Sequence, residues 1–181
     1  MNEATESGTR DGLELVYPPV LAEVSEAVRV RLRATRWWRV LRWTAHCACV
    51  LALAAAALAV LVARDPEPGT AVEMTLLGLL AVAAAELLPW ATARSLFLMI
   101  RSQGEARALV DENGGRWITR DTDVAIRWAM LPRYVETPRL FVLLTARRTG
   151  TGFAYLPKSG LADPADVDRL RAVLDRNSAR V

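Results

Sequence analysis

The hydrophobic pattern of this chain is dominated by two long apolar stretches near its middle. They cover residues 43–63 and 74–93, and the short polar segment 64–70 joins them. At a rise of about 1.5 Å per residue, each stretch is long enough to cross a hydrocarbon core of roughly 30 Å. The pattern therefore predicts a transmembrane helical hairpin, whose second helix carries one acid, Glu86, and one proline, Pro89.

Three segments precede the hairpin. Residues 1–11 are polar and have no apolar periodicity, which is typical of a disordered tail. Residues 13–17 alternate as a short strand does, and an arginine-rich helix follows from Pro19. Residues 12–36 are thus a predicted strand and basic amphipathic helix. We expect this helix to lie against the inner leaflet or to run directly into the first span.

After the hairpin, which with its helical extensions takes up residues 37–106, the period changes. Residues 107–181 contain six short segments with strand character, separated by turn residues, and residues 140–145 are apolar enough to be central. A last helix is predicted from Pro164, with Asp163 as its cap. Antiparallel strands closed by one C-terminal helix belong to the α+β class, here joined to a membrane α-helical hairpin.

The order of several short motifs in this region resembles one bacterial family. The motifs occur in the order Gly115-Arg-Trp-Ile118, Val124-Ala-Ile-Arg-Trp128, Tyr134-Val-Glu-Thr137, Leu140-Phe-Val-Leu-Leu144 and Leu156-Pro-Lys158. With the strand, basic helix and hairpin before them, over residues 13–176, this order resembles the YcxB-like family of bacterial membrane proteins.

The resemblance implies a two-span anchor and a cytosolic domain similar to bacterial pleckstrin-homology (PH) folds, with no established enzymatic activity. Such PH-like folds are small, bent antiparallel sheets or barrels plugged by a C-terminal helix. The six predicted strands fall one short of that pattern. Residues 13–17 are the candidate for the missing edge strand, because both chain ends are expected on the same side of the membrane.

The distribution of arginine predicts that orientation. Six arginines lie between residues 29 and 42 and three more follow the second span, whereas the loop carries Arg64 beside Asp65 and Glu67. By the positive-inside tendency, we expect both ends of this multi-pass protein in the cytoplasm. The resemblance to a bacterial family implies that the membrane is the bacterial inner membrane. A cleaved secretory signal over residues 29–63 is a competing interpretation, but its apolar run exceeds a signal core and a second span follows.

Catalytic and metal chemistry have little support in the sequence. The only histidine, His46, lies in the first span, and the carboxylates of residues 107–181 fall mostly in turns and on the last helix. Cys47 and Cys49 point to different faces of one helix, which favours packing over metal or redox chemistry. We expect no enzyme, no catalytic or metal site and no cofactor. No nucleic-acid motif accompanies the modest net charge of +3, so we expect no nucleic acid as a partner.

Two groups of polar residues are candidates for function. His46 and Glu86 lie at matching depth on either side of Pro66, and an ionised Glu86 would cost several kcal/mol unless it is paired. Glu86 is either neutral and bonded to His46, Thr44 or a backbone carbonyl in a purely structural role, or it is part of a proton-sensitive switch or of a lipid or partner contact. The second group consists of cations placed for lipid head groups or a protein partner, namely Arg29, Arg33, Arg36, Arg39, Arg42, Arg147, Arg148 and Lys158.

Small side chains predict close packing of the two spans, because they let helix backbones approach each other. They are Ala45, Ala52, Ala56, Ala59 and Ala63 on the first span and Gly78, Ala81 and Ala85 on the second. The same stripe would equally serve a homodimer.

Three functions are consistent with these features. The first is a non-enzymatic, membrane-anchored interaction module whose cytosolic domain binds a protein or peptide through an exposed strand edge. The second is a sensor of anionic lipid or membrane stress. The third is an accessory subunit of a transporter or proton-coupled complex that uses Glu86. In each case the lipid bilayer is a partner, with a second protein or a second copy of the chain in addition.

Overall fold

The described part of the chain combines four helices with eight short strands. The computed structural model describes residues 12–62, 68–146 and 152–181. The helices are α1 (Leu21–Ala34), α2 (Arg36–Val62), α3 (Pro68–Arg101) and α4 (Asp166–Asn177). The predicted N-terminal tail, most of the loop between the spans and the turn at residues 147–151 lie outside the described residues.

Helices α2 and α3 form the predicted pair, and the rest of the protein leaves them largely uncovered. Their segments Arg36–Leu58 and Ala71–Arg101 are long and apolar enough to cross a membrane. Within the most apolar window of each segment, only 6% and 11% is buried inside the protein. Neighbouring elements would cover the core helix of a soluble protein, so this exposed apolar surface favours insertion into lipid.

The two helices pack through small side chains. The less exposed positions of α2 recur at Ala45, Cys49, Ala52 and Ala56, which is one face of a helix. Gly78 of α3 is buried against this face, and a Cβ added to it would lie 3.1 Å from the Cys49 Cα and 3.2 Å from the Ala52 Cβ. The close approach expected from small residues is therefore present at this point.

The inward face of α3 differs from the predicted stripe at one position. Ala81 is exposed, whereas Val82 is half-buried and Ala85 is buried. Positions four and seven residues after Gly78 share its face of the helix, which places Val82 and Ala85 toward α2.

The two cysteines of α2 lie in different surroundings. Cys49 is buried in the interface and Cys47 is exposed, as their different faces predict. The side chains at positions 59 and 63, which the predicted stripe also included, lie outside the described part of the chain.

The first sheet contains four antiparallel strands in the order of the chain. They are β1 (Leu13–Tyr17), β2 (Ala106–Val110), β3 (Gly114–Ile118) and β4 (Asp123–Arg127). Strand β1 pairs with β2 along its whole length. The segment before the hairpin thus supplies an additional edge strand, as predicted.

The second sheet has the order β7-β6-β5-β8. Its strands are β5 (Arg133–Glu136), β6 (Leu140–Leu144), β7 (Phe153–Pro157) and β8 (Ala179–Arg180), and β8 pairs in parallel with β5. Every residue of β6 is buried, which agrees with its predicted central position.

The two sheets do not close into the barrel that the resemblance implied. After β4 the chain turns through a single 3-10 turn at Trp128–Met130 and then reaches Pro132, which has no amide donor for a sheet ladder. Strand β4 is the last strand in the order of the first sheet and remains an edge within the described residues. The half-buried strand predicted over residues 124–128 ends at Arg127, with Val124 exposed and Trp128 buried in the following turn.

Helix α4 contributes Leu170 and Leu174 to the hydrophobic core. The Asp163 carboxylate accepts a hydrogen bond from the Ala165 amide at 2.8 Å, as a capping side chain does. The regular helix begins at Asp166 rather than at Pro164, because the chain first makes a turn in which the Asp166 amide donates to the Asp163 carbonyl.

Helix α1 joins the helical pair to the sheets. It buries Val24, Ala27 and Val28 in the same core that contains Ala93 of α3 and strand β6. It does not run directly into the first span, because Thr35 adopts an extended backbone and its amide donates to the Leu32 carbonyl. Helices α1 and α3 and the sheets therefore share one core.

One carboxylate is buried on this face of α1. The Ser159 hydroxyl donates to Glu23 Oε1 at 3.3 Å, while Glu23 Oε2 has no hydrogen-bond partner. Burial raises the pKa of Glu23 above its ordinary value, and the Ser159 hydrogen bond opposes that rise. Docking of α1 on the sheets thus encloses a group for which burial favours the neutral form.

Candidate functional site

A groove of about 850 Å³ opens where α1 meets the first part of α2 and residues 86–90 of α3. Its lining contains four arginines, three tryptophans and one acidic residue. The lining residues are Ser25, Arg29, Leu32, Arg33, Trp38, Arg39, Arg42, Trp43, His46, Glu86, Pro89 and Trp90. Members of both groups of candidate residues predicted from the sequence therefore line this groove.

Helical spacing explains why these side chains converge. Arg29 and Arg33 are four residues apart on α1, so they share a face. Arg39, Arg42 and His46 follow the same rule on α2, as do the groove residues of α3. Because the chain breaks at Thr35, α1 and α2 are separate helices and can both turn their arginine faces toward one space.

The acid of the groove is held by an arginine. Arg42 Nε donates to Glu86 Oε1 at 2.8 Å, and His46 Nε2 lies 3.8 Å from the same oxygen. The second distance is within reach of an ion pair but too long for a hydrogen bond. The His46–Glu86 proximity expected from matched depth is present in this geometry, but Arg42 makes the shorter contact.

The tautomer of His46 follows from its other nitrogen. His46 Nδ1 lies 2.8 Å from the backbone carbonyl of Arg42. A carbonyl oxygen only accepts hydrogen bonds, so we assign the ring proton to Nδ1. In the neutral ring, the Nε2 lone pair then faces Glu86.

Tryptophan side chains flank the groove. Trp43 and Trp90 are strongly exposed, whereas Trp38 is buried. The Arg94 guanidinium carbon lies 5.7 Å from the centre of the Trp90 ring, within the range of a cation–π contact. Indole rings prefer the level of lipid head groups, so their clustering here is typical of the end of a membrane span.

The chemistry available in the groove is anion recognition. Guanidinium groups match phosphate and carboxylate oxygens with paired N–H donors. In the described part of the chain, neither Arg33 nor Arg39 has a carboxylate within ion-pair distance. Among the described residues, no group of three or more His, Cys, Asp or Glu side chains is arranged to hold a metal ion.

The remaining predicted cations lie elsewhere. Arg36 is exposed at the start of α2 but does not line the groove. Lys158 Nζ donates to Glu136 Oε1 at 2.8 Å, on the sheet side of the molecule. Arg147 and Arg148 lie outside the described residues.

Lys158 belongs to a cluster centred on one carboxylate. Arg171 Nη2 and Arg180 Nη2 also contact Glu136, at 2.7 and 3.0 Å, and the Glu136 side chain is only 8% exposed. The hydrogen bonds from Arg171, and then from Lys158, lower the pKa of Glu136 to about 2. This cluster ties β5, β8 and α4 together, so Lys158 has a partner within its own chain.

Comparison with protein families assigns part of the chain. Residues 110–174 match the model of the YcxB-like protein family. Over this segment the chain is similar to YcxB-like proteins, and residues 110–174 are called the YcxB-like domain. This domain extends from the end of β2 into α4 and excludes α1, α2 and α3. Comparison with curated proteins and with solved structures finds no match.

The groove lies entirely outside the YcxB-like domain, in residues 25–46 and 86–90. Sequence reasoning found its arginines and its polar pair separately, and missed the contact between Arg42 and Glu86. The signal was present, because Arg42 precedes His46 by four residues and therefore lies one turn away on the same face. A long arginine side chain spans that turn, so two residues at unequal depth can also meet.

Proposed function

We propose that this protein is a non-enzymatic, membrane-anchored interaction module whose groove binds the head group of an anionic phospholipid. One observation carries the proposal. Four arginines and three tryptophans line one groove beside the ends of two helices that are apolar enough to span a membrane. The proposal combines the first function expected from the sequence with the ligand of the second.

The proposed location is the bacterial inner membrane, with both chain ends in the cytoplasm. Its support is the concentration of arginine at one end of the helical pair, where Arg39, Arg42 and Arg94 lie. Positive residues are retained on the cytoplasmic side of membrane helices. In that orientation the groove faces the inner leaflet, and the YcxB-like domain lies in the cytoplasm.

We also propose that the sheets form a PH-like domain. Strands β1 to β4 form one antiparallel sheet, β5 to β7 form the antiparallel part of the other, and α4 follows them. These seven strands and a C-terminal helix agree with the pattern implied by the family resemblance. Because β1 precedes the membrane helices in the chain, the domain is assembled from both sides of the hairpin.

The charge of the groove favours an anionic ligand. Its four arginines and one glutamate leave a surplus of three positive charges when His46 is neutral. Each cation near an anionic surface contributes about 1 kcal/mol to association. The groove volume also lies within the range of sites for small organic ligands, roughly 300 to 1,000 Å³.

The test is lipid binding by the full-length protein in nanodiscs. Brominated phosphatidylglycerol and brominated phosphatidylcholine quench tryptophan fluorescence when they lie beside Trp43 and Trp90. We expect phosphatidylglycerol to displace phosphatidylcholine. The double variant Arg33→Gln/Arg39→Gln should bind phosphatidylglycerol about 30-fold more weakly, since two contributions of about 1 kcal/mol are lost.

A charge-matched variant provides the control. Arg169→Gln/Arg176→Gln removes the same two charges from exposed positions on α4. We expect it to bind phosphatidylglycerol as the unmodified protein does. Equal affinities in the two double variants would contradict the proposal, because binding would then depend on overall charge and not on the groove.

A role as an accessory subunit that transfers protons through Glu86 has weaker support. The Arg42 guanidinium already provides a positive partner at 2.8 Å, which accounts for a carboxylate in an apolar segment. We therefore propose that Glu86 orients Arg42 in the groove.

A further inference from the structure

Strand β4 is an uncovered edge of the first sheet within residues 12–62, 68–146 and 152–181. There its five residues pair only with β3, and Val124 is 47% exposed. The other sheet edges within the described residues are protected. A bridge to Leu161 covers β1 at Leu15, β7 ends in three buried residues, and β8 is only two residues long. Natural proteins usually protect such edges, because open strands recruit another strand.

The hydrogen bonds of the β3–β4 hairpin identify the backbone groups on the open side. The Thr119 amide donates to the Thr122 carbonyl at 2.8 Å, and the Trp128 amide donates to the Asn113 carbonyl. Even-numbered residues of this segment therefore direct their backbone groups toward β3. Alternation along an antiparallel strand then directs the N–H and C=O groups of Asp123, Ala125 and Arg127 outward.

We propose that two copies of this chain pair through β4, antiparallel, around a two-fold axis at Ala125. In this register Ala125 lies opposite Ala125 of the second copy. Asp123 lies opposite Arg127, so all six outward backbone groups of each strand find partners. A two-fold interface uses the same patch on both copies, which requires a self-complementary strand.

The charges along β4 meet that requirement. Arg127 has no carboxylate within ion-pair distance in the described part of its own chain. Asp123 is held ionised, because hydrogen bonds from Arg116 keep its pKa below the ordinary value. Pairing would place Asp123 of each copy opposite Arg127 of the other. Opposite charges directly across a strand pair stabilise it, and like charges destabilise it.

The apolar side chains are complementary as well. Val124 and Ile126 lie on the other face of β4, and in the proposed register each lies opposite the other. Pairing therefore covers the exposed Val124 with Ile126 of the second copy. Polar and apolar faces thus specify the same register, and a shift by one residue would oppose Asp123 to Ile126.

Membrane anchoring strengthens a contact of this size. A pair of five-residue strands buries less surface than a typical stable interface in solution. Two chains that share a membrane and an orientation meet at a raised effective concentration. We therefore expect the dimer in membranes rather than in dilute detergent. The proposal does not depend on lipid binding by the groove.

Disulfide crosslinking in membrane vesicles tests the register. Residues opposite each other in a hydrogen-bonded antiparallel pair have Cα atoms about 5.5 Å apart, which a disulfide can bridge. In the full-length chain with Cys47→Ser and Cys49→Ala, we expect Ala125→Cys to form a covalent dimer under mild oxidation. Ala172→Cys, at an exposed alanine on α4, should remain monomeric.

Charge exchange provides a second test in the Ala125→Cys background. Asp123→Arg places two arginines opposite each other and should reduce the dimer at least several-fold. Adding Arg127→Asp restores opposite charges and should restore the dimer. Three results would overturn the proposal: no dimer at position 125, equal dimer at position 172, or capture of a different protein at position 125. Failure of the charge exchange to restore the dimer would overturn it as well.

Discussion

Leucine side chains occupy opposite environments in the helical pair and in the sheets. Leu77 of α3 is 66% exposed, whereas Leu143 of β6 is fully buried. The sheets exclude water by packing protein against protein, and the helices turn their apolar surface outward. An outward apolar surface of that length is stable only in an apolar surrounding. The apolar surface of the sheets is therefore covered by protein, whereas that of α2 and α3 is left uncovered and suits an apolar surrounding.

The contrast extends to what holds each region together. In the sheets, burial of large side chains such as Phe141 and Leu156 provides the driving force. Between α2 and α3, small buried residues such as Gly78 and Ala85 provide the contact instead, as is typical of helices in lipid, where burial of leucine gives no driving force. Helix α1 connects the two regimes, because its buried face belongs to the core of the sheets.

The same substitution in the two regions tests this contrast most strongly. Leu143→Ala removes a fully buried side chain and leaves a cavity, which should reduce the free energy of unfolding by about 3 to 5 kcal/mol. Leu77→Ala removes a side chain that contacts little protein. It should reduce the free energy of unfolding by only a few tenths of the Leu143→Ala value. Denaturant unfolding of the full-length protein in micelles, followed by tryptophan fluorescence, measures both values.

Equal losses of stability in the two variants would contradict the difference between the helices and the sheets. If Leu77→Ala were as destabilising as Leu143→Ala, α3 would have to be covered by protein rather than by lipid or detergent. The assignment of the YcxB-like domain would be unaffected by that outcome, because the domain consists of strands and α4 and does not include α3.

The second test uses charge in the sheet region. The pKa of Glu136 is about 2 in the folded chain, below its ordinary value of 4.5. A lowered pKa stabilises the fold above pH 4.5, and this contribution is lost as the pH falls toward 2. This contribution to stability is on the order of 3 kcal/mol, because each pKa unit by which Glu136 is lowered corresponds to about 1.4 kcal/mol. Glu136→Gln should remove it, together with the pH dependence in that range.

The control is Glu112→Gln, in the exposed turn between β2 and β3. It should leave the pH profile of unfolding unchanged. A Glu136→Gln protein that still loses stability between pH 4.5 and 2 to the same extent would show that other carboxylates carry the acid sensitivity. Thermal unfolding at a series of pH values distinguishes these outcomes.

Much of this architecture could be predicted from local patterns. Long apolar runs predicted α2 and α3, and a short continuous apolar run predicted β6 at the centre of a sheet, because both signals lie within a single element. An additional edge strand at residues 13–17 was also predicted, because both chain ends were expected on the same side of the membrane.

Features that depend on the relation between elements were not accessible in the same way. The exposure of β4 depends on the open side of the sheet, and its alternation resembled that of a half-buried strand. The break at Thr35 and the Arg42–Glu86 contact require the rotation of α1, α2 and α3 about one another, which no single-element period contains. The groove was therefore found as separate residues and not as a site.

The smallest expected effect concerns the contact between the helices. A side chain at Gly78 would press on the Cys49 backbone, so Gly78→Leu should separate α2 and α3 at a cost of about 1 to 3 kcal/mol. In a Cys47→Ser background, that separation should speed maleimide labelling of the buried Cys49 about tenfold. Ala81→Leu adds the same bulk to an exposed face of α3 and should leave labelling unchanged, because lipid accommodates it. Unchanged labelling in Gly78→Leu would mean that the pair is not held by close approach at Gly78, and the distinction drawn between the two regions would then rest on exposure alone.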